Sequence, residues 1–218
     1  MVPAVSLKES ERDRSKCRRF FTSPESFRCD SKYCLLFAGV TNLMAQPLQP
    51  EKAYFKDDGS IPNSALPLLV YRQAFTLGSS DLAGTIEEHF ARNDWTGSWR
   101  ASVFPFHHYH STTHEVLAVY RGTATLQFGG EKGRKFAVKP GDVVVIPAGV
   151  GHKRVESSPD FSVIGAYPGG RNWDLLRGLA SERLRADRNI AAVPLPDNDP
   201  IAGPGGPLKQ IWEAEPSS

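Results

Sequence analysis

Residues 114–155, "HEVLAVYRGTATLQFGGEKGRKFAVKPGDVVVIPAGVGHKRV", decide the fold class. Apolar, β-branched runs are interrupted by turn chemistry at Arg121-Gly122, Gly129-Gly130, Pro140-Gly141 and Pro147–Gly151. Short strands of about five residues, recurring every eight to twelve residues or so, are the signature of an antiparallel sandwich or barrel. The same texture extends outward over residues 97–167.

Upstream, "LPLLVYRQAF" (66–75) is a further strand and "FKDDGSIPNS" (55–64) is turn chemistry. "SSDLAGTIEEHFARNDW" (79–95) is a first helix: Ser79, Ser80 or Asp81 can cap it, and Leu82, Ile86 and Phe90 repeat at helical spacing. His89 lies beside that stripe and is expected to be a surface or partly buried histidine, not a ligand. Downstream, "RNWDLLRGLASERLRADRN" (171–189) predicts a second helix with Leu175, Leu176, Leu179 and Leu184 as its apolar face. The end, "PLPDNDPIAGPGGPL", is Pro/Gly-rich and is expected to drape over the body as an extended tail.

Residues 1–45 differ in kind. They hold eight Lys/Arg against five Asp/Glu, whereas the rest of the chain holds 18 against 19, so the basic character belongs to this segment. They show no sustained period and are expected to be a disordered N-terminal extension, with 50–218 a single domain around a motif core at 98–167. A transit peptide is disfavoured by Glu9, Glu11 and Asp13. Met44 is an alternative natural start, and a chain beginning there is expected to fold. All three cysteines (Cys17, Cys29, Cys34) lie in the segment, so a cysteine-free body suits a reducing, cytoplasmic compartment; organelle targeting by the tail stays open. A body without a basic surplus disfavours nucleic acid as a partner, and no apolar run reaches the roughly 20 residues of a membrane helix.

Four of the six histidines fall within "HHYHSTTHE" (107–115). In a strand, alternate residues share a face, so His108 and His110 project together and inward with Phe104 and Phe106. Glu115 lies an odd step beyond His110, so "STT" must bend or bulge the chain to bring Glu115, Leu117 and Val119 to the inner face. His152 joins from "GDVVVIPAGVGH". Three imidazoles and a carboxylate buried in one barrel are costly unless a divalent cation takes them up. A histidine-rich loop with incidental hydrogen bonds is the alternative. His107, Tyr109 and His114 fall on the opposite face and are expected to pack against neighbouring elements or a second subunit, which makes a homodimer an expectation. Arg100, if alternation holds through "WRASVF", shares the inner face, where it grips a substrate anion or pairs with an acid.

These residues resemble the cupin family. Its first motif, G-x5-H-x-H-x4-E-x6-G, is met by His108, His110, Glu115 and Gly122, with Ser102 at the first glycine. Its second, G-x5-P-x-G-x2-H-x3-N, is met by Gly141, Pro147, Gly149 and His152, with Glu156 at the final Asn. Both departures fall where the family shapes turns or strand ends. The body resembles single-domain cupins of bacteria and fungi whose activities are mostly unassigned.

The resemblance implies a mainly β fold, a cupin jelly-roll antiparallel β-barrel with a few flanking helices. It implies a divalent transition metal on His108, His110, Glu115 and His152: Fe(II) is favoured, while Mn, Ni, Cu or Zn also fit the donors. One or two open positions would make the site catalytic. The expected function is a metal-dependent oxidoreductase, at its narrowest a dioxygenase of secondary metabolism, acting on a small-molecule substrate in a pocket that includes Arg100, Phe104 and Phe106. A metal-dependent isomerase or lyase, or a metal- or ligand-holding cupin without turnover, are the alternatives.

Overall fold

The structure, a computed structural model, describes residues 49–78 and 80–215. The expectation for residues 1–45 lies outside the described residues.

The core elements run β1 (Glu51–Phe55), β2 (Ser64–Tyr71), α1 (Leu82–Arg92), β3 (Trp95–Ala101), β4 (Glu115–Arg121), β5 (Ala124–Phe128), β6 (Arg134–Val138), β7 (Val143–Ile146), β8 (His152–Ser157) and β9 (Ser162–Pro168). Six of these strands form one sheet in the order β1-β2-β7-β4-β9-β3, and β6-β5-β8 form a second, all antiparallel. Mainly β with a few helices, this is the expected fold class. Alternate residues of the six-stranded sheet enter two separate cores. Leu68, Val70, Leu117, Val119, Val144 and Ile146 pack with Leu126, Phe128, Phe136 and Val138 of the smaller sheet. Leu69, Tyr71, Val116, Ala118, Val143 and Val145 pack on the other side, against Ile86 and Phe90 of α1. A sheet covered on both faces needs near-continuous apolar strands, which is why "LLVY", "VLAV" and "VVVI" do not alternate with polar residues. Asp81 caps α1, its Oδ1 accepting the Gly84 N–H at 2.9 Å.

Two expectations are corrected. Residues 171–189 are not one helix. An irregular strap runs over 171–179, followed by a 3₁₀ turn (Ala180–Glu182) and α2 (Arg183–Ala192). Local chemistry stops a helix from starting at Arg171. Gly178 sits at φ +81°, and Glu182 takes the N–H groups of Arg177, Gly178 and Leu179 at 2.9–3.0 Å. Leu176 is buried as expected, but Leu175, Leu179 and Leu184 are exposed.

The C-terminal segment is not merely draped. A two-stranded ladder, β10 (Asn198–Asp199) with β11 (Gly203–Pro204), leads into α3 (Pro207–Glu213), which buries Leu208 and Trp212 in the α1-side core. Buried Asp199 organises the turn: it accepts from Tyr71 Oη at 2.5 Å and from the N–H groups of Ile201, Ala202 and Leu208 at 2.7–2.9 Å. Among the described residues, no helix is long and apolar enough to cross a membrane.

Candidate metal centre

Residues 107–114 belong to no named strand, yet two isolated bridges hold them in extended register. His108 pairs with His152, exchanging backbone bonds at 3.1 and 2.9 Å, and Tyr109 pairs with Leu176 of the strap at 3.0 Å both ways. The first bridge sets the His108 and His152 rings 4.1 Å apart, with His110 at 5.7 and 5.8 Å from them. All three are buried, and one ring nitrogen from each lies within 4.8 Å of the others.

Each ring has its Nδ1 against a backbone carbonyl. His108 faces Phe106 O at 3.2 Å, His152 faces Val150 O at 3.2 Å, and His110 contacts Asp174 O. A carbonyl only accepts, so Nδ1 of a neutral ring carries the proton and Nε2 is left with its lone pair. Glu115, the first residue of β4, is buried beside them. Its Oε2 lies 3.2 Å from His152 Nε2 and 3.4 Å from His110 Nε2, with no donor of its own. Its Oε1 accepts from Tyr167 Oη at 3.3 Å, and Tyr167 Oη accepts from Trp99 Nε1 at 2.8 Å. Neutral Nε2 atoms and a carboxylate oxygen therefore face one another lone pair to lone pair, an arrangement that a proton or a cation must bridge. The donor set fits a divalent transition metal on chemistry as well as on proximity.

The electrostatics agree. Burial, reinforced by His152 and His110, holds the His108 pKa down to about 2. Burial acts in the same direction on His110, but the adjacent Glu115 carboxylate outweighs it and raises that pKa. Burial pushes the Glu115 carboxyl up, yet His110 and His152 together bring it below the usual carboxylate range. The Tyr167 hydroxyl is raised well above its ordinary value by burial and then by the Glu115 charge, so it stays protonated.

In front of the imidazoles lies a chamber of about 170 Å³, walled by Trp99, Val103, Phe104, Leu117, Tyr167 and Trp173. Phe104 faces it as expected. Phe106, expected in the pocket, is a correction: it does not line the chamber but stacks on Phe104 at 4.9 Å and is capped by the Arg177 guanidinium at 3.7 Å. Arg100 is a correction. Its guanidinium grips Glu87 of α1 at 2.6 and 2.8 Å on the exposed side, because β3 turns Trp99, and not Arg100, toward the chamber.

The opposite face of the histidine loop packs internally. Tyr109 joins Ile61, Leu176 and Ala186, and His114 lies against Trp212 with its Nδ1 accepting the Ala148 N–H at 3.0 Å. His107 Nε2 is 3.6 Å from Glu131. His89, far from the centre, reaches Ile201 O at 2.8 Å.

Sequence reasoning missed Asp174. Its carboxylate takes the Ser111 N–H at 2.6 Å and the Ser111 hydroxyl at 2.5 Å while its carbonyl meets His110, so one strap residue fixes both the bend and a ligand candidate. It also missed Trp173, Trp99 and Tyr167; Gly165 is a signal for Trp99, since a Cβ there would lie 2.2 Å from the indole.

The model of the cupin domain matches residues 100–159, which contain all four of these acidic and imidazole side chains. Across 160 residues the chain is 53% identical to the uncharacterized protein YjlB of Bacillus subtilis, covering 73% of this chain and 94% of that protein. The chain belongs to the cupin family. Among solved structures this cupin is similar to the acireductone dioxygenase of Bacillus anthracis with cadmium ion in its active centre. That match has 18% identity and a TM-score of 0.32, over 40% of this chain and 59% of that one. It is also similar to a QdtA 3,4-ketoisomerase double mutant from Thermoanaerobacterium thermosaccharolyticum in complex with TDP, at 13% identity and TM-score 0.36, over 44% and 75% of the two chains.

Proposed function

We propose that this cupin is a metal-dependent oxidoreductase of the dioxygenase type acting on a small organic metabolite. One observation carries it: three buried imidazoles are each fixed through Nδ1 by a backbone carbonyl, so that three Nε2 lone pairs converge beside an ionised, donor-less carboxylate oxygen. His108, His110 and His152 would hold the metal, with Glu115 completing the set. Fe(II) is the favoured ion, and it would supply Lewis acidity together with one-electron chemistry toward oxygen.

The surrounding residues favour redox chemistry over proton-shuttling isomerisation or elimination. Among the described residues that line the chamber, only Glu115, Tyr167 and the imidazoles titrate. Glu115 would be taken up by the metal together with the imidazoles, and Tyr167 donates to Glu115 with its hydroxyl held protonated by burial and by the Glu115 charge. No uncommitted base remains there to move a substrate proton. Trp99, Phe104 and Trp173 keep bulk water from the reacting end of the substrate.

The test is metal analysis of the purified protein, followed by oxygen uptake with single-ring diphenols and 1,3-diketones. Stoichiometric metal and substrate-dependent oxygen uptake, both lost in His110→Ala, are the expected results. Substrate turnover without oxygen uptake would assign an isomerase or lyase instead, and protein that binds no divalent metal overturns the centre itself.

A further inference from the structure

We propose that the chamber accepts the uncharged, planar body of a substrate no larger than one six-membered ring, with Trp173 and Phe104 setting the limit. The proposal deepens the function above and rests on it only for the direction in which the substrate's oxygen-bearing end points, toward His108, His110 and His152. The limits on size and charge come from the walls.

Size comes first. At about 170 Å³ the chamber is smaller than the roughly 300–1,000 Å³ that drug-sized ligands occupy, and close to the roughly 150 Å³ of a cavity that takes up one benzene. Its sides are flat rings held by packing. The Trp99 indole lies over Gly165 and its N–H is tied to Tyr167 Oη. Trp173 stacks on Tyr167 at 6.3 Å and 25° and stands edge-on to His110 at 5.4 Å. Phe104 stacks on Phe106 and stands edge-on to His108 at 5.1 Å. Parallel and edge-on rings of this kind favour a planar guest. Trp173 and Phe104 are half-exposed, at 49% and 45%, and with the small exposed residues Ala101 and Ser102 they border the opening.

Charge comes second. None of the described lining residues is Lys, Arg, Asp, Asn or Gln. Three arginines close to lining residues in sequence are engaged outside: Arg100 on Glu87, Arg154 on Val103 O and Ser157 Oγ, Arg177 on the Phe106 ring. A charged group at the end of the guest remote from the imidazoles would lose its water and gain no partner.

The experiment uses full-length protein loaded with Co(II), whose visible bands report the centre, while the change in tryptophan fluorescence on ligand addition reports Trp99 and Trp173 against the constant background of Trp95 and Trp212 in the other core. Three probes share one pair of adjacent hydroxyls: catechol, 3,4-dihydroxybenzoate, which adds a remote carboxylate, and 2,3-dihydroxynaphthalene, which adds a second ring. Catechol should bind at least tenfold more tightly than either. Trp173→Ala and Phe104→Ala should recover the two-ring probe relative to catechol with the Co(II) bands unchanged. Equal affinity for the carboxylate probe overturns the charge limit, and equal affinity for the two-ring probe in the unsubstituted protein overturns the size limit. Absent Co(II) bands defeat the metal centre alone. In that case phenol, 4-hydroxybenzoate and 2-naphthol, titrated into the metal-free protein by fluorescence, decide the same two limits.

Discussion

Two irregular segments meet at His110, and they were not equally readable. The histidine loop (107–115) carries its chemistry in the open: residue types that bind metals, at a spacing that alternation turns into a shared face. The strap (171–179) looks like the start of a leucine-rich helix, yet it serves the site as closely as the loop does. Its Asp174 carbonyl holds His110, its Asp174 carboxylate holds Ser111, its Leu176 bridges Tyr109, and its Trp173 walls the chamber. Functional groups can be read from local pattern, whereas the segment that positions them acts through contacts about 60 residues away in sequence.

The sharpest way to break this comparison is to remove a ligand candidate. His110→Ala or His152→Ala should abolish stoichiometric metal. Losing a partner that merely orients a metal ligand costs about 10–100-fold in affinity, and losing the ligand itself should cost more. His107→Ala and His89→Ala should leave metal content unchanged. Metal lost from His107→Ala but retained in His108→Ala would mean that the loop is read on the wrong face.

Next in size is the strap's own contribution. Asp174→Ala removes two short bonds to Ser111 and frees the strap that places a carbonyl against His110. About 10–100-fold weaker metal binding is expected, with a stability loss of about 1–3 kcal/mol. Asp174→Asn keeps an oxygen acceptor for the Ser111 N–H and should recover part of both. If Asp174→Ala binds metal like the unsubstituted protein, the strap is packing and nothing more.

Most of the barrel could be read because its strands are short, apolar and punctuated by turn residues. Four of the site's side chains could be read because two family motifs contain them. Three features could not. Alternation predicts Arg100 inward only if it holds across residues 102–107, where the chain leaves the sheet. Four leucines over 171–189 mimic a helical stripe, but Gly178 and the competing carboxylate of Glu182 override it. Helix α3 hid in a Pro/Gly-rich tract, although Pro207 at its first turn and the four-residue step from Leu208 to Trp212 were available as signals.

The loop's far face offers a third, smaller test. His114 is buried, which depresses its pKa to about 3. A folded pKa below the unfolded value of about 6.5 means that the unfolded chain takes up this proton first. His114 therefore contributes full stability above about pH 6.5, and the contribution is lost as pH falls toward 3, by up to about 1.4 kcal/mol per pH unit. Metal-free protein carrying His114→Gln, a non-titrating acceptor for the Ala148 N–H, should show a shallower fall in denaturation midpoint over that range. Identical pH profiles would remove His114 from the account.

A contrast between one large stability effect and three near zero separates the strap from the helix it resembles. If residues 171–189 formed an amphipathic helix docked on the body, truncating any of its four leucines would open a cavity. In the structure Leu176 alone is buried, at 4% exposure, among Ile61, Tyr109 and Ala186, while Leu184 is 68% exposed. Leu176→Ala should cost about 2–5 kcal/mol and loosen the Tyr109 bridge beside the metal centre. Leu175→Ala, Leu179→Ala and Leu184→Ala should each change stability by no more than about 0.5 kcal/mol, because a surface side chain leaves no void when shortened. Urea denaturation of the four variants gives the comparison directly. Four similar losses would restore the helix, and one large loss with three near zero identifies the strap.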